Sequence, residues 1–413
     1  MRKRDMNYPT GPLAKISPIS CGGAPNFSVD LVIECMRGLA ALWVFLFHIS
    51  DMIQLSIPAL YPLALEGYRG VPVFFAISGY CIFAAAQSSV ARHSNPGTFL
   101  LRRFKRIYPT FWVSIAFVMT MPYVLEAISS FKSGVLIVPE RAWMEYSIVD
   151  WFGVVTLSKE LVDLAAGGSG AYAAINTVYW SLAIEVQFYL IVFLAITLGR
   201  YWTITLTLVT IISLLAIGFD VLHLPGFFLH FWPGFLCGVL VRLAHTRNVT
   251  PVRFFGRYQI FACGALLFLI AGGCTIAAKM ADIGFIESAV LASLVIWCLG
   301  GIENALLHQP TMLDGKKIGT VLLFPVVLLG QSSYSLYLLH GQLYQLPEMF
   351  IRQLLPATSP MYALLVVLLT SAICYVFYYV IERRFHNSRL PAPQKGTPQA
   401  ILLAKNARTG NIS

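Results

Sequence analysis

The sequence predicts an all-α fold: a polytopic bundle of about ten transmembrane helices with both termini cytoplasmic. Three observations predict it. Of 413 residues, 57% are hydrophobic and 12% charged, roughly half the charged share of an ordinary soluble domain, and the mean hydropathy is +0.72. Apolar runs long enough to cross a bilayer recur along the chain. They are continuous rather than alternating, which argues against the ~10-residue strands of a membrane barrel. Finally, the 29 lysines and arginines fall mostly on one side of these runs, the pattern that orients a membrane protein.

The predicted spans are approximately 33–52, 70–87, 109–127, 175–198, 202–219, 226–243, 259–278, 284–300, 321–345 and 360–381. The basic start "MRKR" leads into a polar, Pro-containing stretch rather than a short apolar core, so no cleavable signal is expected and the first run stays as a helix. This gives a cytoplasmic tail over 1–30, a transmembrane domain over 31–385 and a polar, disordered tail over 386–413. With the N-terminus inside, basic clusters at Arg92–Arg106, Arg242–Arg257 and beyond Glu382 all face the cytoplasm. The one long loop, 128–174, then lies outside, and its "PERAWMEYSIVDWFG" reads as a short interfacial helix. No internal repeat stands out. The formal charge of +10 is explained by cytoplasmic loops facing anionic lipid rather than by nucleic-acid binding. The eight cysteines include no CxxC pair and read as apolar packing residues, with no disulfide framework and no metal site.

Polar groups inside the apolar runs are the functional candidates. In "RGLAALWVFLFH", eleven steps at about 100° bring Arg37 and His48 onto one helix face, about 16 Å apart along the axis. Arg37 fits either a snorkelling anchor or a ligand-facing cation, and His48 either an interhelical hydrogen bond or a proton acceptor. Ser181, Glu185 and Tyr189 share a face in "YWSLAIEVQFYL". Glu185 falls at a depth similar to that of His48, where a carboxylate could orient the imidazole. "LGQSSYSLYLLHGQLY" places Ser333, Tyr337, His340 and Tyr344 on one stripe, as an aromatic belt or as the wall of an acceptor site. Ser78 and Gly79 in "GVPVFFAISGY" fit close helix packing, a nucleophile at Ser78 or room for a ligand at Gly79. Arg102, Arg103, Lys105 and Arg106 fit a lipid anchor or a clamp for a polyphosphate ligand arriving from the cytoplasm. His230 and Trp232 are further lumen candidates. No P-loop, Rossmann fingerprint or HExxH is present.

Taken in order, "ECMRGLAALWVFLFH", "GVPVFFAISGY", "RRFKRIYPTFW", "YWSLAIEVQFYL", "LGQSSYSLYLLH" and "IERRF" resemble the blocks of the acyltransferase-3 family of membrane O-acyltransferases, over roughly residues 30–385. Tyr80 stands where Phe is usual, Glu34 lies in a lead-in that usually carries Asp, and no SGNH hydrolase-like domain is expected to follow. The resemblance implies an O-acyltransferase of the bacterial cytoplasmic membrane. It would move an acyl group, most often acetyl, from cytoplasmic acyl-CoA to a hydroxyl of a cell-envelope or exported carbohydrate. Acyl-CoA would be a co-substrate, with no permanently bound cofactor, and a separate partner could handle the acceptor. In that reading His48, Arg37 and Glu185 are catalytic, with Glu185 orienting His48. Arg103, Arg106, Arg37, Ser78 and Gly79 hold the donor, and His340, Tyr337 and Trp180 lie on the acceptor side. A glycan or lipid-linked-sugar transporter is the competing class, although no paired helix interruption supports it.

Overall fold

The structure, a computed structural model, describes residues 27–134, 142–161, 175–219, 221, 226–251, 283–307 and 325–386. The predicted span 259–278 and almost all of the two predicted tails lie outside the described residues. The described residues are helical and carry no strand. The principal helices are α1 (Phe27–His48), α2 (Ser50–Ser56), α3 (Gly70–Ala91), α4 (Pro96–Ser133), α5 (Ile148–Thr156), α6 (Tyr179–Thr197), α7 (Trp202–Gly218), α8 (Trp232–Thr246), α9 (Ile283–Leu307), α10 (Ser333–Leu343), α11 (Gln345–Ile351) and α12 (Pro360–Phe377).

Among the described residues, four helical stretches are long and apolar enough to cross a membrane: Pro58–Ala91, Pro96–Phe131, Tyr179–Thr197 and Pro360–Phe385. A fifth is the bent pair Val32–His48 and Ser50–Ser56, and Trp202–Gly218 and Phe285–Leu299 are shorter apolar helices. Their outward faces carry exposed Leu190, Leu194, Ile204, Leu208, Leu364 and Leu368, an apolar surface of the kind that suits lipid rather than water.

Two spans differ from their predicted form. The run predicted over 33–52 turns by 79° after His48. A straight continuation would carry Asp51, exposed in the first turn of α2, deeper into apolar surroundings, which is costly. The run predicted over 109–127 is part of one 38-residue helix, about 57 Å long. Asn95 caps it, accepting from the Gly97 N–H at 2.8 Å, and Pro96 takes the first helical position, where its missing N–H costs nothing. The basic stretch Arg102–Arg106 is therefore helical and continuous with the span behind it, with Pro109 at the junction.

Inside the bundle, α3 packs along α1, α8 and α9, and α10 packs between α1, α4 and α12. The core is aromatic: Phe45, Phe111, Tyr179, Phe188, Trp232 and Phe235 are fully buried. Phe235 stacks between Phe75 and Phe188 at 4.5 and 4.1 Å. Two pairs of glycines let helix backbones meet directly. A Cβ on Gly79 would collide with the Phe235 carbonyl, and one on Gly238 with the Ala76 carbonyl, so α3 and α8 touch backbone to backbone. Gly38 faces the backbone at Val326 and Gly330, and Gly330 faces that of Glu34, so α1 touches the helical segment 325–331 just ahead of α10. Small residues permit this contact without an apolar side chain between the helices.

In the segment predicted as interfacial, α5 carries a capping box between Ser147 and Asp150. Its Ile148, Phe152 and Val155 are exposed along one stripe, the apolar face an interfacial helix needs. Buried Lys159 sits 2.8 Å from Asp150. The Lys159 ammonium, with Ser147, holds the Asp150 carboxyl at about 2, below its ordinary 3.8.

Candidate active site

Polar residues from α1, α3, α4, α6 and α10 converge on one small cavity, with room of about 70 Å³ for the centres of water-sized molecules. Arg37 reaches it from α1, Ser78 and Cys81 from α3, Arg103 and Arg106 from α4, Ser181, Glu185 and Tyr189 from α6, and Ser333, Tyr334 and Tyr337 from α10. Three guanidinium groups thus line it against one carboxylate. Such a cavity favours anions, and arginine forks match phosphate oxygens in particular.

The arginines are held in place by their neighbours. Arg103 lies over the rings of Phe99 and Tyr189, 5.8 and 5.9 Å from their centroids. Arg37 has Glu34 one turn away at 3.9 Å. Tyr334 donates to the Ile107 carbonyl at 3.0 Å and ties α10 to α4 beside Arg106. Behind the cavity lies Glu382, whose carboxylate is within electrostatic reach of Arg37 and Arg106. Glu382 closes a π-helical turn, Tyr378–Glu382, at the end of α12. Its Oε2 accepts from both the N–H and the hydroxyl of Ser335. It therefore caps the first turn of α10, where helix N–H groups have no partner of their own.

Glu185 Oε1 accepts from Ser78 Oγ at 2.9 Å and from the Tyr189 hydroxyl at 2.6 Å. The expected pairing of Glu185 with His48 is replaced by these bonds. α6 turns its carboxylate toward the arginine cavity and α3, whereas His48 faces α10. The His48 ring meets His340, with centroids 5.0 Å apart and planes at 52°, and Phe47 packs edge-on against it at 5.4 Å. His340 is fully buried, beside Phe45 at 5.6 Å and Tyr337 at 6.0 Å.

Cavity and histidine pair lie along one seam between α1 and α10. Arg37 and Ser333 mark one end, and His48 and His340 the other. Tyr337 stands between them. Its ring packs on Phe74 at 5.4 Å, and its hydroxyl lies 2.6 Å from Ser181 Oγ and donates to the Val178 carbonyl at 3.3 Å.

The structure thus brings together in one cavity Arg37, Arg103, Arg106 and Ser78, expected on the donor side, Glu185, expected beside His48, and Tyr337, expected on the acceptor side. Gly79 faces Phe235 instead, serving the close approach of α3 to α8. Trp180 packs on Phe231 and Phe75 at 5.3 and 6.5 Å, outside the cavity lining. Trp232 is a core residue donating to Thr210 Oγ1 at 3.0 Å. Tyr334 and Glu382 were not among the candidates. The signal for Glu382 was a carboxylate at the end of an apolar run, in "YVIERRF".

Apolar helices around a cavity lined by Arg37, Arg103 and Arg106 are the features of a membrane protein with a polar site inside its bundle. A family profile described as an acyltransferase domain matches residues 30–379, and the chain belongs to that family, acyltransferase-3, whose members transfer acyl groups. The chain is also similar to the peptidoglycan O-acetyltransferase OatA of Listeria monocytogenes serovar 1/2a, at 27% identity over 206 residues. The aligned part covers 47% of this chain and 29% of that protein's length. No solved structure matches.

Proposed function

We propose that the protein is an integral-membrane O-acetyltransferase that takes an acyl group, acetyl by preference, from cytoplasmic acyl-CoA. The acceptor is a hydroxyl of a cell-envelope carbohydrate on the far side of the bacterial cytoplasmic membrane. The observation that carries this reading is the convergence of Arg37, Arg103 and Arg106 on one cavity, with His48 farther along the helix that bears Arg37. The proposed topology, ten spans with both termini in the cytoplasm, would have that cavity at the inner side, where the phosphates of acyl-CoA arrive. The pantetheine arm extends along the α1–α10 seam, past Tyr337, toward His48. The similarity to a protein named for peptidoglycan O-acetylation makes a cell-wall glycan the first acceptor to test.

His48 acts as general base. It takes the proton from the acceptor hydroxyl as the oxygen attacks the thioester carbonyl. The carbon–oxygen bond forms, the carbon–sulfur bond breaks, and the proton passes to the departing thiolate. Glu185, bonded to Ser78 and Tyr189, fixes the wall of the cavity and balances the arginine charge.

The test uses purified protein in nanodiscs, radiolabelled acetyl-CoA and soluble peptidoglycan fragments. His48→Ala should lower transfer about 10²–10⁴-fold while leaving acetyl-CoA binding intact. Arg103→Ala should instead raise the KM for acetyl-CoA about tenfold or more, the effect of losing a charge-assisted hydrogen bond. Undiminished transfer by His48→Ala would end the assignment of the base.

A further inference from the structure

α1 and the segment leading through α10 run parallel. Gly38 meets Gly330, and ten residues farther along each chain His48 meets His340. One register along two touching helices therefore brings the imidazoles together. His340 Nδ1 lies 2.9 Å from the Leu336 carbonyl oxygen. A carbonyl only accepts, so Nδ1 carries the proton and donates it. In the neutral ring Nε2 is then a lone-pair acceptor. That atom is buried and has no hydrogen-bond partner. Buried acceptors are nearly always satisfied, and the His48 ring, with its centroid 5.0 Å from that of His340, is near enough to supply the missing donor by a small ring rotation.

We propose that His340 is the positioning residue for His48: its Nε2 lone pair accepts a hydrogen bond from one ring nitrogen of His48 and aims the other at the acceptor hydroxyl. The inference rests on His48 being the base. His340 then fills the place a carboxylate holds in a Ser-His-Asp triad, and it touches no reacting atom. When His48 takes up the acceptor's proton, both its ring nitrogens are donors, and in the proposed arrangement one of them is received by His340. The imidazolium also forms at the last residue of α1, where the negative end of the helix dipole favours a cation. No proton passes to His340, so the balance of the transfer step is unchanged. The proposal also gives His340 a different place from the acceptor wall expected from sequence.

Two readouts test this. The first is nitrogen-15 magnetic resonance of histidine-labelled protein in lipid bilayers. His340 should show a protonated Nδ1 and a hydrogen-bonded, unprotonated Nε2, and His48→Ala should move the Nε2 resonance to its free position. The second is steady-state transfer kinetics. His340→Leu should lower kcat about 100-fold with the KM for acetyl-CoA unchanged, whereas His340→Gln, which restores an acceptor oxygen, should recover most of that loss. A proton on His340 Nε2, an Nε2 resonance indifferent to His48→Ala, or equal rates for the Leu and Gln variants would overturn the proposal. An active His48→Ala enzyme would sink the base reading instead, and the resonance experiment still reports on the pair itself.

Discussion

Glu382 shows how one side chain couples the two ends of the site. Its Oε2 receives two donors from Ser335, while its charge faces Arg37 and Arg106. Because it caps α10, it fixes where Tyr337 and His340 stand relative to α1. Removing it leaves the Ser335 N–H buried without an acceptor, a loss of about 1–3 kcal/mol. Glu382→Ala should therefore lower the unfolding temperature of the detergent-solubilised protein, and Glu382→Gln, whose amide oxygen still accepts, should lower it less. Equal losses for the two variants would mean that the cap contributes little and the charge dominates.

Helix pairs decide what the sequence could and could not show. The spacing of Arg37 and His48 was legible because both lie on one helix, and 3.6 residues per turn settles which face they share. So was the clustering of Ser181, Glu185 and Tyr189. The partner of His48 was not legible. Depth arguments place Glu185 and His48 at one level, but the rotation of α6 about its axis is set by packing, and it turns Glu185 to Ser78. His340 was seen on a stripe of α10, yet nothing local says which helix that stripe meets. The contact of Gly38 with the backbone at Gly330, far apart in sequence, sets that register. A Gly330→Val substitution would drive a side chain into the Glu34 backbone and push α1 from its neighbour, costing about 1–3 kcal/mol. It should reduce transfer by separating His48 from His340 even where the protein still inserts. Wild-type transfer by a stably inserted Gly330→Val protein would show that the register tolerates this displacement.

At the scale of the whole molecule, function depends on which end of the seam faces the cytoplasm. In the proposed reaction the arginine end meets a donor made inside the cell, and the histidine end an acceptor outside. The proposed orientation, read from the distribution of lysine and arginine, has both termini inside and the α5 segment outside. Glu145, just ahead of α5, and Arg384, just beyond the π-helical turn, are both exposed in the structure. Single cysteines there report the two sides. In intact cells a membrane-impermeant maleimide should label Glu145→Cys and spare Arg384→Cys, and permeabilised cells should label both, each measured against the background of the native cysteines. The reverse pattern would turn Arg37, Arg103 and Arg106 toward the outside, where acyl-CoA is absent. The cavity would then need an anion from the extracytoplasmic face, and the acetyl transfer proposed above would fall even with every residue assignment within the bundle intact.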